Sequence, residues 1–550
     1  MYELGIYIWI VSVLSISLCN IENTFVLSTL KTFFKSMIFS HIIQMMNNDS
    51  TIKINYPGIE KKYISGRLFP DIKVGVRQVN LSPSEIMTDG KIQKIPNKPI
   101  YIYDTTGAYS DANYETSYRD GLPVIRRNWV SDRKKGQTQM YFAKKGIITP
   151  EMEYVAIRES MNASMLGIEA VTPDFVRSEV AAGRAIIPGN VRHQQLEPMI
   201  IGSRFSVKTS TNIIVDKYSR MESYNDVENV IKCCEWGFDS INVLNRCVDV
   251  TYDRMLRNVP VPMGCTPIID AYSRIEGDVI KLSWDFFKDV ILEQTETGID
   301  ILNIHCDKEN IESRKPEHNM SIGGAIMNEW CLKNGRNNFI YEHFDEICDI
   351  CAATDTMIQI SSTYRHSCIY DSNNQNDMQE KELMRELIEV ANRKNVQILV
   401  EGFGFSSLDK VRHKVDTHKH YCPDTPFNTS IPAVVDMSLP HINTSRTIGS
   451  SIAGYLGSSL LCYDILQRKL NTNDEICRRE AVSFNISSYS VNLARGHMDT
   501  ALRNNASHRA LKEMRINDYC NLSIDPEVSR QYFDENLKNP LIIGKTVVLL

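Results

Sequence analysis

The chain has 550 residues, enough to bury a substantial core and to hold two or three domains. It is 43% hydrophobic and 23% charged, an ordinary globular composition, and its net charge of −6 comes without a long basic run. These figures argue against nucleic-acid binding, and against a disulfide framework: the 14 cysteines lie mostly inside apolar runs, as buried reduced thiols do.

Residues 1–52 form an unassigned N-terminal extension. Gly5–Cys19 (GIYIWIVSVLSISLC) is an apolar run of signal-peptide length, short for a membrane span. It lacks a basic leading region, and Glu3 precedes it. Three readings stand: a targeting segment, a membrane anchor, or an over-extended gene model, since Met37, Met45 and Met46 offer later starts. The remainder is expected to be cytoplasmic.

Thr138–Glu159 (TQMYFAKKGIITPEMEYVAIRE) reads as a short helix, a turn and a second, well-capped helix. Gly146 suits the left-handed conformation that ends the first. Ile147 and Ile148 should then bury. Thr149 is a good N-cap and Pro150 suits the first helical position. Glu151 and Glu153 sit where the helix dipole favours carboxylates. Met152, Val155, Ala156 and Met161 supply an apolar face at helical spacing.

From about Ser206, β-rich runs alternate with amphipathic helical stretches. The strand candidates are FSVKTST, SINVLN, VPVPMG, DILNIHC, MIQIS, VQILVEG and IPAVVDM. Between them lie helices such as SWDFFKDVILEQTETG and KELMRELIEVANRKN. This alternation implies parallel strands with right-handed crossovers. The expected fold is α/β: a (βα)8 barrel core at 203–456, an N-terminal α+β domain at 53–202 and a C-terminal helical segment at 457–550.

The block Thr138–Glu159 resembles a segment of the phosphomethylpyrimidine synthase family, radical S-adenosylmethionine enzymes of thiamine-pyrimidine biosynthesis. The resemblance starts at KINYPGIEKKYISGRLFPDIKVGVRQVNLS and continues through RDGLPVIRRNWV and FVRSEVAAGRAIIPGNVRHQQLEPMIIGSRFSVK. It reaches NLARGHMDTALRNNASHRALKEMRINDYCNLSIDP, in the family's order. It implies a barrel, a homodimer, and conversion of aminoimidazole ribotide to hydroxymethylpyrimidine phosphate with a [4Fe–4S] cluster, S-adenosylmethionine and zinc or iron.

In such a barrel, reacting groups sit at the C-terminal ends of strands. Asn212, His305, Arg365 and Glu401 each occupy such an end. Ser321 and Gly323, in SIGG, open a helix whose free N–H groups could hold a phosphate. These six match substrate-binding positions that the resemblance implies. Arginine and a helix N-terminus suit a phosphate; Asn, His and Glu suit imidazole and ribose hydroxyls.

The departures are equally specific. Where the family reads SRGG, Ile322 replaces the arginine. GDGLRPGS becomes Ser361–Cys368, keeping only Arg365. Asn242 stands at a methionine, and Ile269 and Asn428 replace tyrosines. Where the resemblance implies two metal-ligating histidines, this chain has Phe405 and Asn443; His441 is two residues away and reads as an unrelated loop histidine. Phenylalanine cannot ligate a metal. The resemblance ends near where the first cysteine of the family's C-x2-C-x4-C cluster motif is expected. Cys348 and Cys351 read as helix-core residues.

The expectation is therefore a family member with impaired or lost synthase activity, no cofactor of its own and no metal site. The alternative is a non-catalytic paralogue, binding a phosphorylated imidazole-ribotide-like ligand or pairing as a heterodimer with an active copy. Nucleic acid is not an expected partner.

Overall fold

The computed structural model describes residues 52–548, apart from 89–90, 215–222, 245–248, 309–319, 365–367, 371–375, 431, 439–440, 465–473, 537–540 and 544–545. The apolar run at Gly5–Cys19 lies outside the described residues. No described helix is long and apolar enough to cross a membrane. Lys53–Thr116 and Asp120–Leu550 form one compact unit.

Each β-rich run after Ser206 is followed by a helix that carries the chain back, so successive strands pair in parallel. In order they are Lys208–Ile213, Ser240–Val243, Met263–Cys265, Ile301–His305, Met357–Ser361, Ile398–Glu401, Phe427–Ser430 and Leu460–Asp464. Each neighbours its successor, and the eighth pairs with the first to close the barrel. The (βα)8 core expected from the alternation is present.

Two of its strands differ from the sequence reading. IPAVVDM is not a strand: the seventh is Phe427–Ser430, just before it. Three of its four residues are polar or hydroxylated, so it has no apolar run to mark it. The eighth, Leu460–Asp464, lies beyond the boundary expected at 456. Without it the barrel would stay open.

Before the barrel, Ile59–Ser65, Lys73–Val79 and Ile100–Ile102 form an antiparallel sheet, and Ser84–Thr88 pairs with Lys91–Ile95 as a hairpin. Five helices follow, among them Gln139–Lys144, Pro150–Arg158 and Pro173–Ala181. Ile186, Met199 and Ile201 pack against Ile301, Met357, Leu399 and Leu460, which closes the N-terminal end of the barrel with apolar side chains. Within the barrel itself this leaves the opposite mouth open. After the barrel come Asp474–Ala494, Met498–Lys512, Ile516–Leu522 and Pro526–Asn536. The C-terminal segment is not wholly helical: Leu541–Ile543 pairs antiparallel with Thr546–Val548.

The block Thr138–Glu159 folds as its caps dictate. Gly146 has φ 76°, and the Thr149 side chain accepts from the Met152 N–H with Pro150 in the first turn. Met152, Val155 and Ala156 are buried in one cluster with Met140 and Phe205. Ile147, expected to bury, is 48% exposed because the turn swings it outward; only Ile148 packs on the cluster.

The two first-turn glutamates do more than complement the helix dipole. Glu151 is buried between Arg126 and Arg133. Glu153 accepts the backbone N–H groups of Arg67, Leu68 and Phe69 at 2.7–2.8 Å, which fastens that turn to the helix. Glu159 pairs with Lys208 at 2.7 Å and accepts the Ser206 N–H at 2.8 Å, joining the block to the first barrel strand.

Candidate functional site

Side chains alternate along a strand, so every second residue of a barrel strand points inward. In the fourth strand these include Asn303 and His305, and in the fifth Gln359 and Ser361. Together with strand-end residues they enclose a cavity of about 70 Å3 at the C-terminal mouth. Five of the six residues picked from sequence line it: Asn212, His305, Ser321, Gly323 and Glu401. Arg365 lies outside the described residues.

A carboxamide lining dominates this mouth. The Asn242 amide donates to Asn212 Oδ1 at 3.1 Å, across a register in which the two residues pair directly. Asn428 donates to Gln359 Oε1 at 3.0 Å, and Asn303 to the Cys265 carbonyl at 3.0 Å. Ile269 lines the cavity as well. The sequence reading missed Asn303, Gln359 and Ser361. The recoverable signal was a polar residue at every second place in otherwise apolar strands.

Ser321 N-caps the helix Ile322–Asn334. Its hydroxyl oxygen accepts from the Gly324 N–H at 3.1 Å, and its own N–H donates to the Thr363 carbonyl at 2.9 Å. The cap therefore uses the serine for local structure first. Gly323 lies flush on the His305 imidazole, where a Cβ would fall 2.5 Å from the ring.

Glu401 is 3% exposed and accepts the Ser362 N–H at 3.0 Å. The turn it holds is also gripped by Glu380, which accepts the Ser362 hydroxyl at 2.6 Å and the N–H groups of Thr363 and Tyr364. Burial of the Glu380 carboxyl end pushes its pKa up to about 7, against these hydrogen bonds, which favour the charged form.

The metal that the resemblance implies does not fit the residues present. Phe405 offers no donor atom. The Asn443 carboxamide oxygen accepts from Arg446 at 3.4 Å, so a guanidinium stands beside the other position. His441 is exposed at the start of the helix Ile442–Leu456 and does not line the cavity. Among the described residues, no three His, Cys, Asp or Glu side chains form a group able to hold a metal ion. Cys348 and Cys351 are buried in the helix Phe344–Thr354, as core residues.

Solved structures similar to this chain include dihydropteroate synthase of Xanthomonas albilineans. In complex with 7,8-dihydropteroate it is 11% identical, with a TM-score of 0.31, 56% of this chain and 99% of that chain being covered. With 4-aminobenzoic acid the figures are 14%, 0.29, 50% and 92%. The ThiC-associated domain matches residues 55–137, and the radical SAM ThiC family matches residues 138–542. With both matched segments in order and together spanning the sheet, the barrel and the following helices, the chain belongs to the radical SAM ThiC family, whose domains connect it to thiamine-pyrimidine biosynthesis.

Proposed function

We propose that this chain is a family member that has lost the synthase reaction and keeps a ligand-binding barrel mouth. Its ligand is of the aminoimidazole ribotide type. The imidazole sits among Asn212, His305 and Glu401, and the phosphate lies outside the small cavity, over the helix start at Ser321–Gly323, with Arg365 its expected cationic partner from the sequence. The supporting observation is that five sequence-picked binding residues converge on one mouth, while Phe405 and Asn443 stand in the sequence where the resemblance implies metal-ligating histidines.

Radical generation from S-adenosylmethionine is cofactor chemistry that ordinary side chains do not replace. The chain then acts by binding, either alone or as one half of a heterodimer with an active copy. The test is anaerobic reconstitution with iron and sulfide and an assay for 5′-deoxyadenosine. No product is expected, and stoichiometric cleavage would overturn the reading. In calorimetry, aminoimidazole ribotide should bind the unmodified chain, and Arg365→Ala should weaken it about tenfold through the lost phosphate contact.

A further inference from the structure

A second and much larger cavity, of about 860 Å3, lies under the foot of the first two barrel strands. Lys208 and Asp239 form its barrel side, Arg77 and Tyr103 its sheet side, and Tyr489 and Arg503 its helical side. It is at the opposite end of the strand Lys208–Ile213 from the carboxamide-lined mouth. Its volume is in the range of small-molecule sites.

One corner is built from two stacked cation–aromatic pairs. The Arg77 guanidinium lies 4.7 Å from the Tyr56 ring centroid, and that of Arg503 lies 4.8 Å from the Tyr489 ring centroid. Arg503 donates to the carbonyls of Leu522 (2.7 Å) and Ser523 (2.6 Å) and to the Tyr489 hydroxyl. It is 9% exposed and has no carboxylate partner among the described residues. Among the described residues the one carboxylate paired with Arg77 is Asp104, at 3.6 Å, which already pairs with Lys61; Arg77 also donates to the Tyr103 carbonyl at 3.0 Å. Lys61 and Arg77 thus share one carboxylate, and Arg503 stands near Arg77 with none of its own among the described residues.

Acids also line the cavity, Glu235, Glu475 and Asp534 included, but among the described residues none forms an ion pair with Arg503. Glu159 is taken by Lys208, and Asp525 and Glu527 by Arg478. Asp239 accepts the Thr209 N–H, and Asp499 those of Met161 and Asn162. Like charges held together away from water are costly, and an anion placed between them offsets that cost. Burial and Arg77 both pull the pKa of Arg503 down, consistent with an uncompensated corner.

We propose that this cavity binds an oxyanion-bearing metabolite, its phosphate or carboxylate groups held between Arg77 and Arg503 and its body against Tyr56 and Tyr489. The proposal does not depend on what occupies the barrel mouth. Pyrophosphate and citrate distinguish the two anion types in calorimetric titrations of the full chain at low salt. At least one should bind with one-to-one stoichiometry.

Arg503→Gln risks misfolding, because the guanidinium ties down two carbonyls. Thr500→Glu avoids this. Thr500 lines the cavity three residues before Arg503 on the helix Met498–Lys512, so the new carboxylate reaches Arg503 on the same face. It should weaken the anion about tenfold or more without lowering the thermal midpoint. Arg365→Ala should leave this binding intact. No heat from either anion, or equal affinity in Thr500→Glu, would overturn the proposal.

Discussion

Gly323 and His305 are packed so closely that no side chain fits between them: a Cβ on Gly323 would stand 2.5 Å from Cγ and Nδ1 of the imidazole. The ring is buried and cannot retreat as the end of a flexible chain could. Gly323→Ala should therefore shift the imidazole or the helix start. The expected cost is about 1–3 kcal/mol, partly offset by the better helix propensity of alanine. Urea denaturation reads this directly, and an unchanged midpoint would mean that the imidazole yields to a methyl group without cost.

Glu151 sits between Arg126 and Arg133 with all three side chains nearly out of solvent. Glu151→Gln leaves the buried Arg126 without its carboxylate and Arg133 with only Asp355, at 3.5 Å, among the described residues, and should cost about 3 kcal/mol. Burial opposes ionisation of Glu151, but Arg133 and Arg126 outweigh it and hold its pKa at about 2, below its ordinary 4.5. The sign follows from linkage. The pair's contribution is fully present above about pH 4.5 and is lost as pH falls toward about 2. The gap between the unmodified chain and Glu151→Gln should accordingly narrow in acid.

Glu380 behaves in the opposite sense. Its folded-state pKa, about 7, lies above its ordinary 4.5, so folding favours the protonated form. Stability should fall as pH rises through that window, by at most about 1.4 kcal/mol per pH unit. Glu380→Gln should flatten this slope between pH 4.5 and 7. Chemical denaturation at several pH values checks it; identical slopes in the two proteins would remove Glu380 as the cause.

Restoring histidines tests whether the two positions implied for metal ligands can still hold a metal ion; among the described residues no ligand set is present. The double substitution Phe405→His and Asn443→His should raise zinc content measured by atomic emission from background toward one per chain. Arg446 beside Asn443 is the expected obstacle, and a further Arg446→Ser should improve retention by removing the neighbouring cation. If the triple variant stays at background, the two positions do not converge and the register assigned to them is wrong.

Much of this protein is fixed by local rules that a single sequence carries. Alternating β-rich and amphipathic runs are enough to predict the barrel, because each strand needs a following helix to return the chain. Thr149, Pro150 and Gly146 mark a cap, a first turn and a stop by their own backbone chemistry. Asn212, His305 and Glu401 could be placed at one mouth because strand ends in a closed barrel converge whatever lies between them.

Other features depend on what meets across distance. Phe427–Ser430 becomes a strand only because Ile398–Glu401 and Leu460–Asp464 flank it; alone, its polar residues carry no apolar period. Ile147 is apolar yet faces solvent, since none of the described residues packs over it. Glu151 and Glu153 look like dipole partners until Arg126, Arg133 and the backbone at 67–69 arrive beside them. The Arg77–Arg503 corner joins residues more than 400 positions apart. Hydrogen bonding and capping act over a few residues and can be read along the chain. Burial and charge compensation act through space, and only the tertiary structure decides them.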